Sequence, residues 1–124
     1  MALNVLMVDD DAQFLAYARD GLDGTVTLAR TPLEAMWRLE RERFDVVVCD
    51  LCLGSLDGTS LLDEVRERWP TTSRVLVTGF GDKLVRDDLF PAAQAVIQKP
   101  CDLSALNALL DALPERARRE TLPP

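Results

Sequence analysis

Short runs of β-branched and aliphatic residues alternate along the chain with longer stretches in which apolar residues recur every three or four positions. The short runs, at 4–8, 25–29, 46–50, 74–78 and 95–98, predict five strands. In the first, third and fourth, apolar side chains stand on consecutive positions, the pattern of a parallel strand covered on both faces. The stripes Phe14-Ala18-Leu22, Met36-Leu39, Leu61-Val65-Trp69 and Leu103-Leu106-Leu110-Leu113 predict helices whose apolar sides pack on that sheet. A further helix over 83–90 is the weakest, being short, acidic at Asp87 and Asp88 and stopped by Pro91, and mobility is expected there. The alternation as a whole predicts an α/β fold with a parallel sheet.

Local signals mark some boundaries. Thr31, Pro32 and Glu34 fit an N-cap, a first helical residue and a capping-box acid, and Asp102 fits an N-cap for the last helix. After Leu113 come Pro114, Pro123 and Pro124, with Arg116, Arg118 and Arg119 set against Glu115 and Glu120. That composition predicts one domain over residues 1–113 and a solvated tail or truncated linker over 114–124. A length of 124 residues suits one core, and there is no internal repeat.

The net charge of −7 argues against direct binding to nucleic acid or an anionic membrane surface. These residues include no histidine, so a Ser-His-Asp triad, a His-bearing zinc site and an internal phosphohistidine are excluded; phosphohistidine chemistry would need a partner. Three cysteines, an odd number, with no secretory or membrane-spanning run, predict a soluble protein of the reducing cytoplasm.

Ligands of a parallel α/β sheet gather beyond the carboxyl ends of the strands, and here those ends are polar. The first strand runs into Asp9, Asp10 and Asp11, the third ends at Asp50, the fourth at Thr78-Gly79 and the fifth at Lys99-Pro100. Carboxylates from neighbouring strands repel unless a cation lies between them, and such hard oxygen donors suit Mg²⁺. Taken alone, the aspartate run also fits a helix N-cap with surface acids. Lys99 is one of only two lysines, beside Lys83, against twelve arginines, and a compact ammonium suits neutralisation of one phosphoryl or carboxylate oxygen; a solvated strand end is the plainer reading.

Together these residues resemble the receiver domain of bacterial two-component response regulators. The motifs that carry the resemblance are Val8-Asp9-Asp10, Val48-Cys49-Asp50-Leu51, Leu56-Asp57-Gly58, Val77-Thr78-Gly79 and Lys99-Pro100, within a similarity spanning residues 3–113. The resemblance implies a flavodoxin-like, doubly wound, five-stranded parallel sheet of order 2-1-3-4-5, for which this family is a standard example. It implies that a sensor histidine kinase or histidine phosphotransfer protein phosphorylates Asp50 in a Mg²⁺-dependent reaction. Asp10, Asp50 and the backbone carbonyl of Cys52 would bind the metal, Asp9 would act mainly through water, and Thr78 and Lys99 would hydrogen-bond the phosphoryl oxygens. The domain would be a phosphoacceptor rather than an enzyme. An unknown downstream protein would read the surface around the last two strands and helices; a homodimer is left open.

Three departures from the family pattern stand out. Gly54 occupies a usual proline position and predicts a looser loop. Val96 replaces the aromatic commonly found three residues before the lysine, removing the usual coupling of a swinging ring to Thr78. Cys52 and Phe80, two residues after the acceptor and the hydroxyl, offer little hydrogen bonding to an attacking water and predict at most slow self-dephosphorylation.

Other readings are less consistent with the sequence. Cys49 and Cys52 have Cys-x-x-Cys spacing, but alternation along a strand starts residues three apart on opposite faces, and zinc would need further ligands. A flavodoxin phosphate loop would be hydroxyl-rich where three aspartates stand. A haloacid-dehalogenase-type phosphatase wants an acid at the position of Cys52. A phosphorylation-independent interaction module on the same fold is the main alternative.

Overall fold

The computed structural model describes residues 3–53, 56–79 and 91–121, and only the backbone of 52, 53, 56–58 and 114–121. In chain order the elements are β1 (Asn4–Val8), α1 (Ala12–Gly21), β2 (Thr25–Ala29), α2 (Pro32–Arg41), β3 (Val46–Asp50), β4 (Cys52–Leu53), β5 (Leu56–Asp57), α3 (Gly58–Arg68), β6 (Ser73–Thr78), β7 (Ala95–Gln98) and α4 (Leu103–Thr121). The main sheet is parallel throughout, in the order β2-β1-β3-β6-β7. Counting its own strands, this is 2-1-3-4-5, as the sequence resemblance implied. β4 and β5 form a separate two-stranded antiparallel ribbon just after β3, which the hydrophobic pattern did not predict.

Alternation along the strands divides the core into two layers. Val5 and Met7 of β1, Val46 and Val48 of β3 and Val75 and Val77 of β6 meet Leu15 and Ala18 of α1 and Leu106, Leu110 and Leu113 of α4. On the other face Leu6, Val8, Val47, Cys49 and Leu76 meet Ala35 and Leu39 of α2 and Leu61, Leu62 and Val65 of α3. The helical stripes thus cover opposite sides of one sheet. Leu22 and Trp69 belong to this packing but lie just beyond the ends of α1 and α3.

The helix starts follow their capping residues. Thr31 Oγ1 accepts from Glu34 N–H at 3.0 Å, while the Glu34 carboxylate accepts from Arg30 N–H at 3.3 Å, one residue earlier than in a standard capping box. Asp102 Oδ1 accepts from Ser104 N–H at 2.9 Å. Two boundaries depart from expectation. β6 begins at Ser73, one residue early, and α4 runs past Leu113 and through Pro114 to Thr121, into the segment expected to be a tail. A proline removes one backbone donor, but Glu115, Arg116, Ala117, Arg118, Arg119 and Glu120 are all strong helix formers.

The helix and mobility expected over 83–90, the loop effect at Gly54 and the surroundings of Phe80 lie outside the described residues. Among those described, no helix is long and apolar enough to cross a membrane.

Candidate functional site

The carboxyl ends of β1, β3, β6 and β7 meet at one edge of the sheet because all four strands run the same way. Main-chain hydrogen bonds continue past the strand ends and fix the residues that follow. Asp9 N–H donates to Ala29 O at 3.0 Å, Leu51 N–H to Val77 O at 2.8 Å and Lys99 N–H to Thr78 O at 2.8 Å. The Lys99–Pro100 peptide bond is cis.

Asp9, Asp10 and Asp50 each offer a carboxylate oxygen within 4.8 Å of the others. They differ in exposure. The Asp9 side chain is only 1% exposed and that of Asp50 12%, while Asp10 is exposed. Asp9 Oδ1 accepts from Asp11 N–H at 2.8 Å, and its Oδ2 pairs with the Lys99 ammonium at 2.7 Å. The same ammonium is 4.0 Å from Asp50 Oδ2. Asp11 turns away to cap α1, accepting from Gln13 N–H at 3.0 Å and Phe14 N–H at 3.3 Å. The aspartate run therefore serves both readings left open by the sequence, with Asp11 as the helix cap and Asp9 and Asp10 in the cluster.

Among the described residues, the carboxylates of Asp9, Asp10 and Asp50 gather beside the Lys99 ammonium. The donor set of hard, anionic oxygens fits a small divalent cation such as Mg²⁺. Burial draws the Lys99 ammonium pKa down, but contact with Asp9 and the charges of Asp9, Asp50 and Asp11 outweigh this and hold it above its ordinary value of 10.5. Burial also pushes the neighbouring Cys101 thiol up, against the opposing effects of a backbone hydrogen bond and Lys99. Thr78 is fully buried at the end of β6 and pairs in register with Gln98 of β7. Cys52 opens β4 immediately beyond Asp50 and Leu51.

Several supporting residues escaped the sequence reading. Arg30, just past β2, donates from Nη2 to Asp10 O at 3.2 Å. Phe14 places its ring 4.3 Å from the Lys99 ammonium, and Tyr17 Oη donates to Cys101 O at 3.4 Å. Phe14 was visible only as one member of an apolar stripe. Nothing in that periodicity distinguishes packing against aliphatic side chains from packing against a cation.

Comparison with known proteins bears on this arrangement. The family model for the response regulator receiver domain matches residues 5–111. The transcriptional activator protein PfeR of Pseudomonas aeruginosa is 32% identical over 127 aligned residues, covering 96% of this chain and 40% of that protein. The hydrogenase transcriptional regulatory protein HoxA of Cupriavidus necator is 36% identical over 80 residues, covering 63% of this chain and 17% of its own length. The chain thus spans well under half the length of these relatives. Among solved structures, a CheY-like response regulator receiver domain protein from Methanospirillum hungatei superimposes with a TM-score of 0.84 at 26% identity, covering 97% of this chain and 99% of that one.

Proposed function

Because this chain belongs to the response regulator receiver domain family of two-component systems, we propose that it is a phosphoryl-accepting switch and that Asp50 is the residue phosphorylated. The observation that carries this reading is the meeting of Asp9, Asp10 and Asp50 with the Lys99 ammonium beyond the carboxyl edge of the sheet. A lone carboxylate is a weak nucleophile toward an anionic phosphoryl donor, since charge repulsion opposes the approach. Cations positioned at the point of attack remove that obstacle.

In this reading Asp10, Asp50 and the backbone carbonyl of Cys52 hold Mg²⁺, with Asp9 contributing mainly through water. Bound Mg²⁺ would supply charge neutralisation between the acceptor carboxylate and the donor's phosphoryl oxygens. An Asp50 oxygen attacks the phosphorus, the donor's phosphorus–nitrogen bond breaks, and the electron pair leaves with the donor imidazole. Lys99 and the Thr78 hydroxyl donate to phosphoryl oxygens of the product. In this reading the donor is a sensor histidine kinase or a histidine phosphotransfer protein, as membership of the family implies. A downstream protein reads the change.

The test is intact mass after incubation with acetyl phosphate and Mg²⁺. One phosphoryl group should add to the wild type, none to Asp50→Asn, and none in excess chelator. A folded protein that acquires no adduct while still capturing a partner would establish the interaction-module reading instead.

A further inference from the structure

The Lys99 ammonium is held on two sides of different chemistry. One is the Asp9 carboxylate at 2.7 Å; the other is the face of the Phe14 ring, 4.3 Å from its centroid. Phe14 lies in the first turn of α1, partly buried against the core layer formed with α4. Its ring centroid is 6.5 Å from that of Tyr17, whose hydroxyl holds the carbonyl of Cys101. Helix α1 therefore grips the chain on both sides of Pro100, by a ring at Lys99 and a hydroxyl at Cys101.

We propose that Phe14 is a positioning residue for phosphoryl transfer: its ring holds the Lys99 ammonium as it turns from Asp9 toward a phosphoryl oxygen on Asp50, and its attraction counts for more once the Asp9 ion pair loosens. This rests on Asp50 being the acceptor. The physical argument is one of differential interaction. An ammonium has three N–H donors, and a carboxylate at position 14 would claim one of them and add to the negative charge that repels the donor. An aliphatic side chain would offer no attraction. An aromatic face attracts the cation through its quadrupole without supplying a competing oxygen. The 4.0 Å between Lys99 Nζ and Asp50 Oδ2 leaves only a short displacement for the ammonium.

Phe14→Leu, which retains apolar volume without a ring, and Phe14→Tyr, which retains the ring, separate this role from packing. Two measurements on the whole chain decide it: the proton shifts of the Lys99 side-chain methylenes, and the rate of adduct formation with acetyl phosphate across a Mg²⁺ titration. In the wild type and Phe14→Tyr the methylenes next to the ammonium should be displaced upfield by the ring current. In Phe14→Leu that displacement should vanish and the rate at saturating Mg²⁺ should fall by about three- to tenfold, the span expected for one cation–π contact, with the half-saturating Mg²⁺ concentration unchanged. A Leu variant as fast as the wild type, or a Tyr variant as slow as the Leu variant, would overturn the proposal. So would a wild type that forms the adduct with undisplaced methylenes. A wild type with displaced methylenes and no adduct would overturn the acceptor reading and, with it, any role for Phe14 in transfer. Phe14→Met, also ringless, replaces the Leu variant should that fail to fold.

Discussion

At the scale of single residues, the Asp9 carboxylate is nearly sealed from water and its charge is met chiefly by Lys99. Removing one partner of such a pair leaves a charge without compensation, which costs more than the pair itself contributes. Lys99→Met should destabilise the metal-free protein by about 2–3 kcal/mol, somewhat below a fully buried pair because Lys99 keeps some exposure; urea unfolding at neutral pH measures it. The pH dependence has a definite sign. The Lys99 pKa is raised on folding, so its stabilisation is complete below about 10.5, its ordinary value, and is lost as pH rises through the folded value. Unfolding curves above pH 10.5 should therefore show a loss of stability that is smaller in Lys99→Met. A second expectation concerns lifetime: by the family resemblance, Cys52→Asn with Phe80→Glu puts polar side chains at the positions two after the acceptor and two after the hydroxyl and should shorten the life of the adduct, read as phosphate release after the donor is removed. An unchanged lifetime in a folded double variant would count against water positioning by these residues. The gathering of Asp9, Asp10, Asp50, Thr78 and Lys99 was legible because each ends a strand or lies within two residues of its end. Arg30 and Phe14 were not, since their contacts depend on which strand and helix lie alongside.

At the scale of elements, the capping residues and glycines give the sharpest expectations. Thr31→Ala removes an acceptor for the Glu34 N–H and should cost about 1 kcal/mol, read from the denaturation midpoint at unchanged slope. Gly24 is the more severe case. Its φ of +92° lies where side chains are strained, and an added Cβ would also collide with the backbone carbonyl oxygen of Leu3. Gly24→Ala should therefore destabilise by about 2–3 kcal/mol, the upper part of the range for backbone strain, and disturb the β1–β2 pairing in amide-exchange measurements. The helix α4 shows the limit of local reading. Pro114 looked like a stop, yet the helix-forming residues after it carry the helix to Thr121. The β4–β5 ribbon was invisible because each of its strands has only two residues, too few to establish any period.

At the scale of the whole molecule, a parallel sheet concentrates carboxylates from separate strands at one edge, so folding works against their repulsion. Relief of that repulsion should be measurable without any phosphoryl donor. Mg²⁺ at ten times its dissociation constant should stabilise the protein by about 1.4 kcal/mol, raising the melting temperature by about 6 °C for a chain of this size. Asp50→Asn should raise the metal-free melting temperature and shrink the Mg²⁺ effect, because it removes one charge and one ligand from the cluster; a full Mg²⁺ shift in that variant would argue against Asp50 as a ligand. The sequence by itself determined the five strands of the sheet, the helical stripes, the α/β class and the residue types at the strand ends, because each is written in local periodicity and in residues adjacent along the chain. Strand order came only through the family motifs. Tertiary structure alone decided that Asp9 is buried, that Lys99 sits nearer Asp9 than Asp50, and that Phe14 faces a cation. Those outcomes depend on distances between residues far apart in the chain, set by how two core layers pack on one twisted sheet, and no period of two or 3.6 encodes them.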